Sequence, residues 1–101
     1  MKLPSRNEVE VLQLLASGRE LYGLELIRRS EGALKRNSIY VVLGRMEDQG
    51  YITGRVVKDP NTAGLPRRLY KITGLGQREL AKWNAAQVVE ATWGKLKPAG
   101  A

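Results

Sequence analysis

The residues of this chain that could do chemistry are cations and hydrogen-bonding groups, and they cluster. Lys35, Arg36, Asn37, Ser38 and Tyr40 are followed closely by Val41 and Arg45, and Arg55, Lys58, Arg67 and Arg68 come in two further segments. Guanidinium and ammonium groups pair with phosphate oxygens, Asn and Ser exchange hydrogen bonds with base edges, and valine can meet a thymine methyl. The set therefore points to a nucleic-acid surface. Catalysis has far less to work with. There is no histidine and no cysteine, which removes imidazole acid–base chemistry, thiolate nucleophiles, disulfides and the usual zinc ligands together. Glu8, Glu10 and Glu25 form no paired arrangement, and Gly74-Leu75-Gly76 lacks the third glycine and the βαβ setting of a dinucleotide site. No catalytic residue, metal or cofactor is expected.

Charge points the same way. The chain carries 17 Lys and Arg against 10 Asp and Glu, a formal +7, with an isoelectric point near 10.1, which favours an anionic partner. Between Lys35 and Lys71 eight basic residues stand against three acidic ones, a local +5. Most of the excess thus lies on the segments already singled out. Double-stranded DNA is the leading partner, ahead of a membrane surface. The N-terminal stretch MKLPSRNEVEVLQLL is too charged for a secretory leader, and no run is long and apolar enough to cross a bilayer. The expected setting is soluble and cytoplasmic, without a membrane partner.

The elements that must position these residues can be read from periodicity. Ser5 and Glu8 have the spacing of a capping box, and Val9, Val11, Leu12, Leu14 and Leu15 then cover most faces of a first helix, which is therefore central or shared with an interface. ELYGLELIRRSEG reads as a second helix, with Leu21, Leu24 and Ile27 on one side. A third follows with Asn37 or a neighbour as cap, and Ile39, Val42, Leu43 and Met46 recur at helical spacing as its buried row. Gly18, Gly32 and Gly50 close the three helices. Residues 51–57 and 67–73 are β-branched or alternating, and KDPNTAGLP between them makes a turn, so the two form an antiparallel hairpin. A last helix runs to Leu96 from Gly76, or from a start at Thr73 or Gly74. Leu80, Trp83, Val88, Val89 and Trp93 spread around it too widely for one small domain to cover.

Three helices, a strand, a loop and a strand make a winged helix: mostly α with a small β-hairpin, the third helix placed to enter a major groove and the hairpin forming the wing. Ser38, Val41, Arg45 and Asp48 fall opposite the buried row, with Asn37 and Gly44 beside them. Gly44 lowers helix stability by about 1 kcal/mol relative to alanine, which points to close approach by DNA or by a neighbouring helix. The division expected is residues 1–74 as DNA-binding domain, 75–96 as dimerisation helix and 97–101 as flexible tail. A winged helix can also serve as a protein–protein adaptor that reads no base, but the polar face of the third helix, preceded by Lys35 and Arg36, favours DNA.

The segments LLASGRELYGLELIRRS, NSIYVVLGRMEDQGYI and GLPRRLYKITGLGQREL resemble, in order, signature segments of the PadR-like winged-helix transcriptional regulators. The resemblance implies a homodimeric repressor of the short subgroup acting on a pseudo-palindromic operator. It makes Tyr40 the recognition-helix tyrosine that meets the DNA backbone. The first and last helices become the dimer interface, with Leu80, Trp83, Val88, Val89 and Trp93 in the last and both tryptophans exposed. Some members of the family bind flat aromatic effectors between subunits. Here Met46 replaces a usual leucine and the last helix is short and alanine-rich, a departure that bears on such a pocket more than on DNA.

Overall fold

Ser5 starts the first helix with both halves of the capping box: its hydroxyl accepts from the Glu8 N–H at 3.3 Å, and the Glu8 carboxylate accepts from the Ser5 N–H at 3.0 Å. The computed structural model describes residues 4–58 and 67–96, with side chains up to Gln87. In order these form α1 (Arg6–Leu15), β1 (Leu21–Tyr22), α2 (Gly23–Arg29), α3 (Arg36–Asp48), β2 (Ile52–Val57), β3 (Arg67–Ile72) and α4 (Gly74–Leu96). This is a winged helix, mostly α with a small antiparallel sheet. The turn KDPNTAGLP lies, past Lys58, outside the described residues.

The core explains the breadth of the apolar surface on α1. Val9, Val11, Leu12 and Leu15 are all buried, against Leu26, Leu34, the α3 row Ile39, Leu43 and Met46, and the sheet residues Ile52, Tyr70 and Ile72. Val42 packs at its edge. Burying a leucine or isoleucine side chain contributes about 1.5 to 3 kcal/mol, so the α3 row fixes which face of that helix looks outward.

Two details differ from the expected elements. Leu21 and Tyr22 do not begin α2; they pair with Tyr70 and Leu69 as a third strand, giving the order β1-β3-β2. Helix α2 consequently starts at Gly23, and its buried residues are Gly23 and Leu26, while Leu24 is 43% exposed. Second, the cap position of α3 is Lys35, which makes no side-chain cap hydrogen bond. Asn37 lies inside the first turn.

The β2–β3 ladder runs from Ile52 opposite Ile72 to Val57 opposite Arg67. Since side chains alternate across a strand, Tyr70, Gly54 and Arg68 share the face that begins in the core, and Arg55, Leu69 and Arg67 take the other. Thr73 then joins three elements. Its hydroxyl donates to the Gly50 carbonyl at 2.6 Å, at the end of α3, and accepts from the Gly76 N–H at 3.0 Å, capping α4. Gln77 of α4 in turn donates to the Ala16 carbonyl at 3.0 Å, at the end of α1.

Candidate nucleic-acid interface

Helix α3 presents its polar side to solvent. With Ile39, Leu43 and Met46 inward, Arg36, Asn37, Tyr40, Val41, Gly44, Arg45 and Asp48 are exposed, and Lys35 stands exposed ahead of them. Ser38 is half-buried, its hydroxyl 3.5 Å from the Lys35 carbonyl. The first turn holds no acidic residue and its N–H groups have no side-chain cap. Positive side chains and uncapped N–H groups thus converge at this end, where the helix dipole also favours an anion. Among the described residues nothing lies within 4 Å of a Cβ placed at Gly44, so no neighbouring helix among them explains it.

Tyr40 is 53% exposed, and its ring lies on α2. A Cβ at Gly23 would stand 2.8 Å from Tyr40 Cε1 and 3.0 Å from the hydroxyl oxygen. Glycine allows the close approach there. The ring forms one wall of a cleft of about 450 Å³ that runs from Tyr22 and Leu24 past Arg28 to Arg67, Arg68 and Tyr70. Burial raises the Tyr70 hydroxyl above its ordinary pKa, so this part of the floor stays neutral.

The wing holds its cations differently from the sequence reading, which treats them as free. Arg55 donates from Nε and Nη2 to the two Glu20 oxygens at 2.6 and 3.1 Å. Arg68 donates from Nε and Nη2 to the two Glu47 oxygens at 3.1 and 2.5 Å. These hydrogen bonds raise both guanidinium pKa values and lower that of the Glu20 carboxyl. The Arg67 guanidinium carbon sits 5.6 Å from the centroid of the Tyr22 ring, a cation–π contact. Lys58, one residue past β2, is exposed. By strand alternation Arg68 lies on the face shared with Tyr70, beside α3, and Arg55 on the opposite one. The structure therefore brings Lys35, Arg36, Asn37, Tyr40, Val41 and Arg45 onto one helix and Arg68 beside it; Arg67 shares the Arg55 face by alternation but lines the cleft beside the Tyr22 ring, and Arg55 is held by Glu20.

Three residues of this surface carry no mark in the sequence: Glu20, Glu47 and Gly54. The two ion pairs span 35 and 21 residues, and no local period reports such a contact.

Helix α4 corrects one further expectation. Leu80 is 6% exposed and belongs to the chain's own core, and Trp83 is half-buried against that core. Both are held by the first turns of α4 packing on α1, so Leu80 offers little surface to a second subunit and Trp83 is not the exposed ring expected. The side chains of Val88, Val89 and Trp93 lie outside the described residues. Among the described residues no helix is long and apolar enough to cross a membrane.

Comparison with known proteins agrees with the fold. No curated protein matches the sequence. A PadR family transcription regulator from Clostridium difficile R20291 superposes with a TM-score of 0.73 at 20% identity, over 90% of this chain and 97% of that one. A PadR-like transcription factor from Bacteroides fragilis gives 0.75 at 23% identity, over 89% and 88%. Bacillus subtilis PadR, solved in complex with operator DNA, gives 0.70 at 29% identity, over 79% of this chain and 48% of that longer one. The sequence model of the transcriptional regulator PadR-like family matches residues 11–82, a span that runs from α1 through the wing into α4, and the chain belongs to that family.

Proposed function

We propose that the protein is a sequence-specific DNA-binding repressor acting as a homodimer on a pseudo-palindromic operator. The observation that carries this reading is the exposed face of α3: Lys35, Arg36, Asn37, Tyr40, Val41 and Arg45 stand free of the core, without an acidic residue in the first turn. The operator complex of Bacillus subtilis PadR supports it by likeness. In this reading α3 enters the major groove, where Asn37, Ser38 and Arg45 meet base edges and Val41 a thymine methyl. Tyr40 and the cations Lys35, Arg36, Lys58 and Arg67 bind phosphates. Arg55 and Arg68 offer DNA their Nε–Nη2 forks by exchanging their carboxylate partners. Residues 1–74 form the DNA-binding unit, and 75–96, through Val88, Val89 and Trp93, the dimerising helix. No cofactor is assigned, and no observation calls for an aromatic effector.

The test is fluorescence anisotropy against a labelled duplex from the gene's own upstream region and a scrambled duplex, at two salt concentrations. Tighter binding to the upstream duplex that persists at higher salt is the expected result. Equal and steeply salt-dependent binding to this pair and to duplexes selected from a random pool would leave only the electrostatic attraction, and the adaptor reading would take its place.

A further inference from the structure

The best-placed cation of the wing is already occupied. Arg68 offers Glu47 a bidentate fork, the same geometry that a guanidinium offers a phosphate. The two side chains remain 43% and 22% exposed, so the pair sits at the surface, where DNA could compete for it. It also has a built seat. A Cβ at Gly54 would stand 2.6 Å from Arg68 Nε and 3.1 Å from Glu47 Oε2, so the ion pair rests on bare backbone of β2. Three elements meet there: the last turn of α3, the strand β2 and the strand β3.

This arrangement acts differently on different DNA. An arbitrary duplex that approaches by charge alone has no fixed register, and it must displace a carboxylate held by two hydrogen bonds before it gains the Nε–Nη2 fork of Arg68. A duplex that seats α3 in its groove holds the flanking phosphates in one place next to the wing, and there the exchange is offset by orientation. We propose that Glu47 is a specificity-determining residue, withholding Arg68 from arbitrary phosphates and yielding it only once the recognition helix is seated. The inference rests on the DNA-binding reading above. It makes discrimination depend on a repulsive element as well as on attractive contacts.

The experiment compares wild type, Glu47→Gln, Arg68→Ala and the double variant by anisotropy, over a salt series. Two duplexes are used: one of random sequence and one selected from a random pool for tight binding. Glu47→Gln is expected to raise affinity for the random duplex about three- to tenfold near 0.1 M salt and to steepen its log–log salt dependence by about one unit, the signature of one more phosphate contact. Affinity for the selected duplex should change less, so the ratio between the two falls. Arg68→Ala should leave the random-duplex salt dependence unchanged in the wild-type background and remove the added unit in the Glu47→Gln background. Random-duplex affinity and salt dependence that stay at wild-type values in Glu47→Gln would overturn the proposal. So would a gain that persists in the double variant, since it would reflect only the lost negative charge. Glu47→Ala, which also frees Arg68, must behave as Glu47→Gln does. Wild-type protein that binds neither duplex would instead remove the DNA-binding reading, and this inference with it.

Discussion

At the scale of single residues, the surface separates side chains that read from those that merely sit nearby. Arg45 is exposed on α3, outside every ion pair found among the described residues, and is free to reach a base or a phosphate. Replacing it with alanine should cost about 1 to 3 kcal/mol of binding and relax preference at one base position if it reads a base. Binding to a panel of single-base operator variants measures this, and an equal loss on every variant would assign Arg45 to phosphate. Gly23 allows a different separation. In Gly23→Ala the new methyl meets the edge of the Tyr40 ring, which is half exposed and can swing aside, so stability should fall by less than about 1 kcal/mol, below the usual range for overpacking a closed core. DNA affinity should fall more, because the displaced ring leaves its place at the cleft. Thermal melts alongside anisotropy would show the two effects apart, and an unchanged affinity would mean that Tyr40 has no part in binding.

At the scale of elements, the joint between wing, recognition helix and α4 hangs on Thr73. Thr73→Ala removes the cap of α4 and leaves the Gly50 carbonyl without its donor, and loss of a cap alone costs about 0.5 to 2 kcal/mol. Denaturant unfolding should show a lower midpoint with an unchanged slope, and Thr73→Ser should recover most of it. These elements were legible in the sequence to different degrees. The three helices and the hairpin were visible because each has a period: the capping box at Ser5, the Ile39, Leu43 and Met46 row, and the alternation from Arg67 to Ile72. Strand β1 was not. Two residues hold no period, and Leu21 extended the α2 pattern plausibly until its pairing with Tyr70 claimed it. The candidate site divides in the same way: the outward face of α3 follows from its buried row, whereas the neutralised state of Arg55 and Arg68 depends on contacts that only the folded chain creates.

At the scale of the whole molecule, the question is what α4 is for. It has 23 residues, about 35 Å of helix at 1.5 Å per residue. Among the residues with described side chains, it attaches to the chain's own body through Gln77, Leu80 and Trp83, and Asn84, Ala85 and Gln87 are exposed. The sequence then places Val88, Val89 and Trp93 in a stretch with one charged residue, Glu90, before Lys95. The proposed homodimer gives this apolar stretch a partner, and a large aromatic is the residue type most often decisive in such an interface. Light scattering should therefore give about twice the 11.2 kDa of one chain, and the melting temperature should rise with protein concentration, as it does when folding and association are linked. Trp93→Ala should shift the protein to monomer or soluble aggregate. The consequence for DNA follows from geometry. Two recognition helices about 34 Å apart can engage two half-sites together, whereas a monomer engages one, so its salt dependence should fall to about half and its preference for the selected duplex should collapse. A Trp93→Ala protein that scatters as a dimer and keeps the full salt dependence would place the interface elsewhere on the chain.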